Sequence, residues 1–352
     1  MGRSKPRQAG EQVTFEGAME SLPLAEGDVQ PTVSVVIPAY NVAATLARAV
    51  RSVTGQTSRP LEVFVVDDGS TDGTADVGRG FGPPVRYIRQ DNGGAGAARN
   101  RGVTEARGEW VAFLDADDWW EPEHLARQFD VVRRHPELVW VAGRCVNVWP
   151  GGAKTVGLPS EGCRKLLEDG CWCRDYYEAA AAGVQFPTIV MLIRRRVFDE
   201  VGLFDAQIRS GQDRDMWFRI ADRFPAIGYV DEPIAVYDRT AAGSLTRSNR
   251  PRGADDWRLL TKHVPQRSQR PNGPETPRDR HFRSIIARSL RNAARFGDQQ
   301  HLARVLAAYG DRLGTAQRVV WGLVSHLPSG VVRLAAKGYG ATVVPLRVRR
   351  RK

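Results

Sequence analysis

Three acidic clusters carry the residue types and spacings best suited to chemistry. In Leu114-Asp-Ala-Asp-Asp-Trp119 the carboxylates directly follow an apolar run, so a buried strand would hold them rigidly at a solvent-facing edge. Magnesium and manganese take oxygen ligands and commonly share one or two protein carboxylates with substrate phosphates. The cluster therefore suits Mn2+ or Mg2+ held against a nucleoside diphosphate, with Asp117 as the best direct ligand and Asp115 as a ribose or outer contact. Standing alone it reads equally well as a solvated turn capping the next helix.

The second cluster, Val66-Asp-Asp-Gly-Ser-Thr-Asp72, also follows an apolar run. Gly69 and Ser70 supply turn chemistry, and one carboxylate there can accept from a base or ribose. The third, Ser210-Gly-Gln-Asp-Arg-Asp-Met-Trp217, puts Asp213 at a helix start. As a general base Asp213 would take the proton of an attacking hydroxyl; as a structural residue it would be an N-cap. Asp215 is its rival. Trp119, Trp120 and Trp217 offer faces for a sugar ring or, equally, core packing.

Between the clusters lies Asn92-Gly-Gly-Ala-Gly-Ala-Ala-Arg99. Gly94-x-Gly96 begins a dinucleotide fingerprint, but Arg99 occupies the third glycine position and the motif does not follow the first strand. The better reading is a glycine loop opening a helix whose N-terminal amides, together with Arg99, face phosphates or a sugar.

Such residues need a scaffold that places them at one edge. Val33 to Ile37 is apolar and β-branched, as a strand covered on both faces should be. Leu46, Ala49, Val50 and Val53 then recur at helical spacing, and Leu61 to Val66 makes a second buried strand. The alternation continues with a strand at Val85 to Ile88, a helix at about Ala95 to Ala106, a strand at Trp110 to Leu114, a helix at about Glu121 to Arg134 and a strand at Leu138 to Ala142. Strands alternating with helices predict an α/β fold with a mostly parallel nucleotide-binding sheet flanked by helices, and ligands bind beyond the carboxyl ends of such strands. A strand at Thr188 to Ile193 and a helix near Asp213 follow, and from Asp255 onward the patterns are helical.

The 352 residues are 42% hydrophobic and 26% charged, with a formal net charge of +11. That composition is globular. Much of the excess charge falls in Arg247 to Arg295 and Arg347 to Lys352, which assigns it a peripheral role. No aromatic-interleaved basic motif or zinc-finger spacing supports nucleic acid. Cys145, Cys163, Cys171 and Cys173 do not make a zinc site, since Cys171-x-Cys173 is too tight. The polar N-terminus shows no secretory signal, and no stretch reaches the roughly 18 to 20 apolar residues of a membrane span. A cytoplasmic protein with reduced thiols is expected.

The order VSVVIPAYN, VVDDGSTDGT, GAGAARNRG, GEWVAFLDADDWWEPEHL, VFDEVGLFD and SGQDRDMWFRIA, across about residues 33 to 240, closely resembles the family-two inverting glycosyltransferases of the GT-A fold. The resemblance implies that Pro38 and Tyr40 border the nucleoside, Asp68 contacts the base, Arg99 lies near the donor, Asp115 and Asp117 form a DxD metal site, and Asp213 is the base. Two positions depart from the family: Gln212-Asp213 leaves one carboxylate where a pair is usual, and Tyr237-Asp238-Arg239 differs in the late loop. The division is then a leader over 1–30, a GT-A domain over 31–245 and a basic helical C-terminal extension over 246–352. The implied partners are a nucleotide-sugar donor and a glycan or lipid-linked acceptor of bacterial cell-surface polysaccharide or glycolipid synthesis. Apolar stretches beside the basic tail suit peripheral contact with an anionic membrane. The competing class is a non-catalytic nucleotide-sugar or glycan binding protein, which would need neither Asp117 nor Asp213.

Overall fold

The computed structural model describes residues 31–156, 164–240, 252–264 and 275–332. The leader, Cys163 and the tail Arg347 to Lys352 lie outside the described residues.

The first half alternates as its hydrophobic periodicity requires: β1 (Val33–Ala39), α1 (Ala43–Thr54), β2 (Glu62–Asp67), α2 (Thr74–Arg79), β3 (Val85–Arg89), α3 (Ala95–Glu105) and β4 (Trp110–Phe113). β1 is buried almost throughout, and each fully buried Val or Ile there contributes about 1.5–3 kcal/mol. β1 pairs in parallel with both β2 and β4, and β2 with β3. α3 lies against β1 so closely that a Cβ at Gly102 would sit 2.3 Å from Val36 Cγ1, an approach only glycine permits.

β5 (Trp119–Trp120), α4 (His124–Arg134), β6 (Trp140–Val148), β7 (Lys154–Val156), β8 (Trp172–Cys173), α5 (Tyr176–Ala181), β9 (Leu192–Arg194), α6 (Val197–Val201), α7 (Gln212–Arg223) and β10 (Ile227–Asp238) complete the sheet and its cover. The strand order is β3-β2-β1-β4-β9-β6-β10-β5. β9 runs antiparallel to both β4 and β6, whereas β10 is parallel to β6. The parallel character therefore belongs to the nucleotide half, and the sheet becomes mixed beyond β4.

One expected strand is shorter than its apolar run. Thr188–Val190 is a 3-10 turn and only Leu192–Arg194 is strand. The Trp120 Nε1–H and the Gln128 amide donate to the carbonyls of Ile189 and Val190, at 2.7 Å each, which takes those groups away from a ladder.

α8 (Gly253–His263), α9 (Pro277–Phe296), α10 (Gln299–Tyr309) and α11 (Thr315–Ser325) follow. α9 starts with a capping box of Thr276 and Asp279 with Pro277 at its first turn, and ends at Gly297 in the left-handed region, the expected start and stop signals. The extension does not form a core of its own: Leu259, Leu260, Phe282 and Ile286 belong to the same buried cluster as β1 and β4, and the Phe218 and Phe282 rings meet edge to face at 4.9 Å.

Candidate active site

The ends of β1, β2 and β4 lie side by side, with Ala39 in register with Asp67 and Val36 with Phe113. β1 sits between its sequence neighbour β2 and the later strand β4, so the crevice opens where the strand order reverses. A cleft of about 1000 Å³ occupies that position, and Pro38, Tyr40, Asp68, Arg99, Asp115, Asp117 and Asp213 all line it. The structure thus brings these seven residues to one cleft, whereas Asp215, Trp119, Trp120 and Trp217 do not line it.

Asp68 is buried at the end of β2. Its Oδ1 accepts from the Gly93 amide at 2.9 Å and the Gln90 side chain at 2.8 Å, and its Oδ2 from the Gly94 amide at 2.7 Å. The carboxylate therefore clamps the glycine loop over the strand end, an organising part that sequence motifs do not reveal. The loops after β1 and β2 are tied as well: the Thr71 amide donates to Asn41 Oδ1 at 2.8 Å, and the Asn41 amide to Ser70 Oγ at 3.0 Å. Tyr40 stands beside them with half its surface exposed.

Arg99, on α3, is nearly fully buried and donates Nη2–H to Asp115 Oδ1 at 2.6 Å. Its Nε and Nη1 are buried with no hydrogen-bond partner among the described residues. Buried donors are almost always paired, so these two N–H groups are an exception that stands at the edge of the cleft.

Asp117 feels burial first, then the charges of Asp115 and Asp238, and its carboxyl is pushed up to about 6. Asp118 is buried further in; burial first, then the charges of Asp117, Asp115 and Asp238, hold it well above the usual carboxylate range. Its Oδ1 accepts from the Asp238 amide at 2.7 Å, while Oδ2 is buried without a partner among the described residues. Excess negative charge in a sheltered site is the setting a divalent cation relieves, and the donor set is carboxylate oxygen. No group of three metal-ligating side chains occurs among the described residues. The residues present would fit a cation held by one or two carboxylates and completed by phosphate oxygens, with Asp117 as the available ligand and Asp115 already shared with Arg99.

Arg48, which sequence reasoning missed, fixes this loop. It donates to the Asp117 carbonyl at 2.7 Å and to Asp238 Oδ2 at 2.9 Å, and its guanidinium lies 4.1 Å from the centre of the Trp119 ring. The signal available for Asp238 was the departure at Tyr237-Asp238-Arg239. Arg48 gave none.

The two acidic residues of α7 point to different tasks. Gly211 begins the helix at φ +93°, and a Cβ there would lie 2.6 Å from Arg214 Nη2. Asp213 is half-buried on the cleft and accepts from the Arg214 amide at 2.8 Å. Asp215 is fully buried and accepts from Lys262 and His263 at 2.8 Å and from Arg219 at 2.9 Å. Burial alone would raise its pKa, but the hydrogen bonds of His263 and Lys262 hold it far below the usual range. Asp215 anchors α7 to α8 and is spoken for.

Of the two readings of the tryptophans, core packing holds for Trp120 and Trp217, 2% and 1% exposed, with their indole N–H groups donating to the Ile189 and Phe186 carbonyls. One expectation is corrected: the charge of the Arg247 to Arg295 stretch is not wholly peripheral, since Arg252 and Arg288 line the cleft. Cys145, Cys171 and Cys173 are buried thiols; burial raises the Cys145 thiol to about 11.

The mixed sheet flanked by helices, with its crevice at the β1/β4 switch point, is of the GT-A type of fold. Residues 34–202 match the model of the family described as glycosyl transferase family 2. The uncharacterized glycosyltransferase RP339 of Rickettsia prowazekii is 27% identical over 221 residues, 62% of this chain and 67% of that protein. The succinoglycan biosynthesis protein ExoO of Rhizobium meliloti is 33% identical over 197 residues, 53% of this chain and 54% of that protein. Among solved structures, residues 1–349 of TarS from S. aureus, in complex with UDP-GlcNAc, superpose with a TM-score of 0.63 at 16% identity, covering 88% of this chain and 92% of that one.

Proposed function

We propose that this chain is an inverting, metal-dependent glycosyltransferase that moves a sugar from a nucleoside-diphosphate donor to an acceptor hydroxyl in cell-surface polysaccharide or glycolipid synthesis. The observation that carries the reading is the convergence, in one cleft, of Asp117 with its raised pKa, the unpaired donors of buried Arg99, and Asp213. Asp117, with Asp115 beside it, would hold Mn2+ or Mg2+, which when bound neutralises charge on the departing diphosphate. Arg99 donates to the same anion. Asp213 accepts the acceptor's hydroxyl proton as that oxygen bonds to the anomeric carbon, and the electron pair of the broken anomeric C–O bond leaves with the nucleoside diphosphate. A single in-line displacement needs no enzyme nucleophile. Pro38 and Tyr40 border the nucleoside, and Asp68 contacts the base.

A panel of nucleotide-sugars, beginning with UDP-sugars because the TarS relative was crystallised with UDP-GlcNAc, tests the reading through release of nucleoside diphosphate with and without manganese. Manganese-dependent release is expected. Binding of a donor without turnover under every acceptor tried would favour the non-catalytic binder.

The reading extends to place. No helix of the described residues is long and apolar enough to cross a membrane, but Val319, Leu323, Leu327 and Val331 recur every fourth residue and are exposed. These exposed apolar residues, followed in the sequence by the basic run Arg347 to Lys352, support peripheral contact with an anionic leaflet from the cytoplasmic side.

A further inference from the structure

The half of the cleft opposite the acidic strand ends is basic. Arg209 comes from the loop before α7, Arg214 from α7 itself, and Arg288 from the middle of α9. Arg209 and Arg288 are exposed, and neither guanidinium has a hydrogen bond or ion pair to another described residue. Arg214 reaches only Asp256, at 3.8 Å, and leaves its Nη1 buried and unpartnered among the described residues. The framework beneath is nonetheless fixed: the Arg209 amide donates to Asp255 Oδ1 at 3.0 Å, and the Arg252 amide to Asn292 Oδ1 at 3.3 Å. Two guanidinium groups without a partner among the described residues, and a third paired only at 3.8 Å, on a fixed frame beside the carboxylate that would act as base, mark an anion subsite.

We infer that the acceptor carries a phosphate group, seated by Arg209, Arg214 and Arg288 so that a nearby hydroxyl of the same molecule meets Asp213. The inference rests on the transferase reading and deepens it. The planar fork of arginine matches phosphate oxygens in pairs, and a phosphomonoester or diphosphate carries more negative charge than a lone carboxylate, as a group of unpaired arginines favours. Donor phosphates are served by Asp117 and Arg99, which belong to other elements of the fold. A phosphate of this kind belongs either to a lipid carrier or to a soluble sugar or polyol phosphate.

Calorimetric titration of the full chain with farnesyl phosphate, sn-glycerol 3-phosphate, glucuronate and glucose, with UDP titrated in parallel, tests the subsite. Both phosphates are expected to bind the wild type, at least tenfold more weakly the Arg209→Gln/Arg288→Gln double variant, and with intermediate strength the Arg209→Lys/Arg288→Lys variant, while UDP affinity stays the same in all. Tighter binding of farnesyl phosphate than of glycerol phosphate assigns the lipid source; equal binding assigns the soluble one. Unchanged phosphate binding in the Gln variant, glucuronate or glucose binding as tightly as glycerol phosphate, or an equal loss of UDP affinity would each overturn the inference. Wild-type protein that binds the phosphates but not UDP would overturn the donor reading and leave the anion subsite standing.

Discussion

The nucleotide half of the cleft is acidic and draws on one run of chain from Pro38 to Asp117, whereas the opposite half is basic and gathers Arg209, Asp213, Arg252 and Arg288 from separate loops and helices. The first half is specified locally, because each residue sits at the end of a strand whose position follows from βα alternation. The second exists only after α7, α8 and α9 have packed on the sheet. Charge computed along the sequence therefore misplaces arginines that packing returns to the site.

The largest expected effect separates chemistry from binding across these halves. Asp213→Asn should lower kcat by about 10²–10⁴-fold, the usual worth of a general base, and leave nucleoside diphosphate affinity unchanged; steady-state kinetics with a donor identified by the panel measure it. A variant with near-normal turnover would move the base elsewhere.

Asp215, two residues on, should behave as part of the frame. Asp215→Asn leaves Lys262, His263 and Arg219 without their buried partner, and loss of one member of a buried charge network costs about 3–5 kcal/mol, read as a lower midpoint in urea. The sign with pH follows from its lowered pKa: stability contributed by ionised Asp215 is present above the unfolded value near 3.8 and is lost as pH falls through the lower folded value. Wild-type unfolding should show that acid loss, and the Asn variant a flatter acid limb.

Strand ends, the glycine loop and the helix start at Asp213 were all legible in the sequence, because periodicity of 2 and 3.6 fixes elements and turn residues mark their ends. Contacts between distant segments were not. Arg48 reaches Asp238 across 190 residues, and nothing near Arg48 marks it. The run at Thr188 misled because side chains from α4 and β5 claim its carbonyls. Asp215 and Asp213 look alike in the sequence and differ only in what α8 supplies.

A smaller effect tests the tie between the Asp117 loop and the end of β10. Arg48→Ala frees the Asp117 carbonyl and Asp238 together, and should raise KM for the donor several-fold with less change in kcat, since both remaining carboxylates are still present. Equal loss in kcat alone would assign Arg48 to the transition state instead. The smallest effect concerns the periphery: Val319→Ser/Leu323→Ser should reduce sedimentation with anionic vesicles at low salt without changing turnover of a soluble acceptor.

Manganese-dependent binding of the released nucleoside diphosphate, titrated side by side in wild type, Asp117→Ala and Asp213→Asn, bears most directly on the division of the cleft. The wild type and Asp213→Asn should both gain affinity on adding manganese, and Asp117→Ala should lose that gain. Unchanged manganese dependence in Asp117→Ala, or its loss in Asp213→Asn, would contradict the assignment of cation and base to opposite halves.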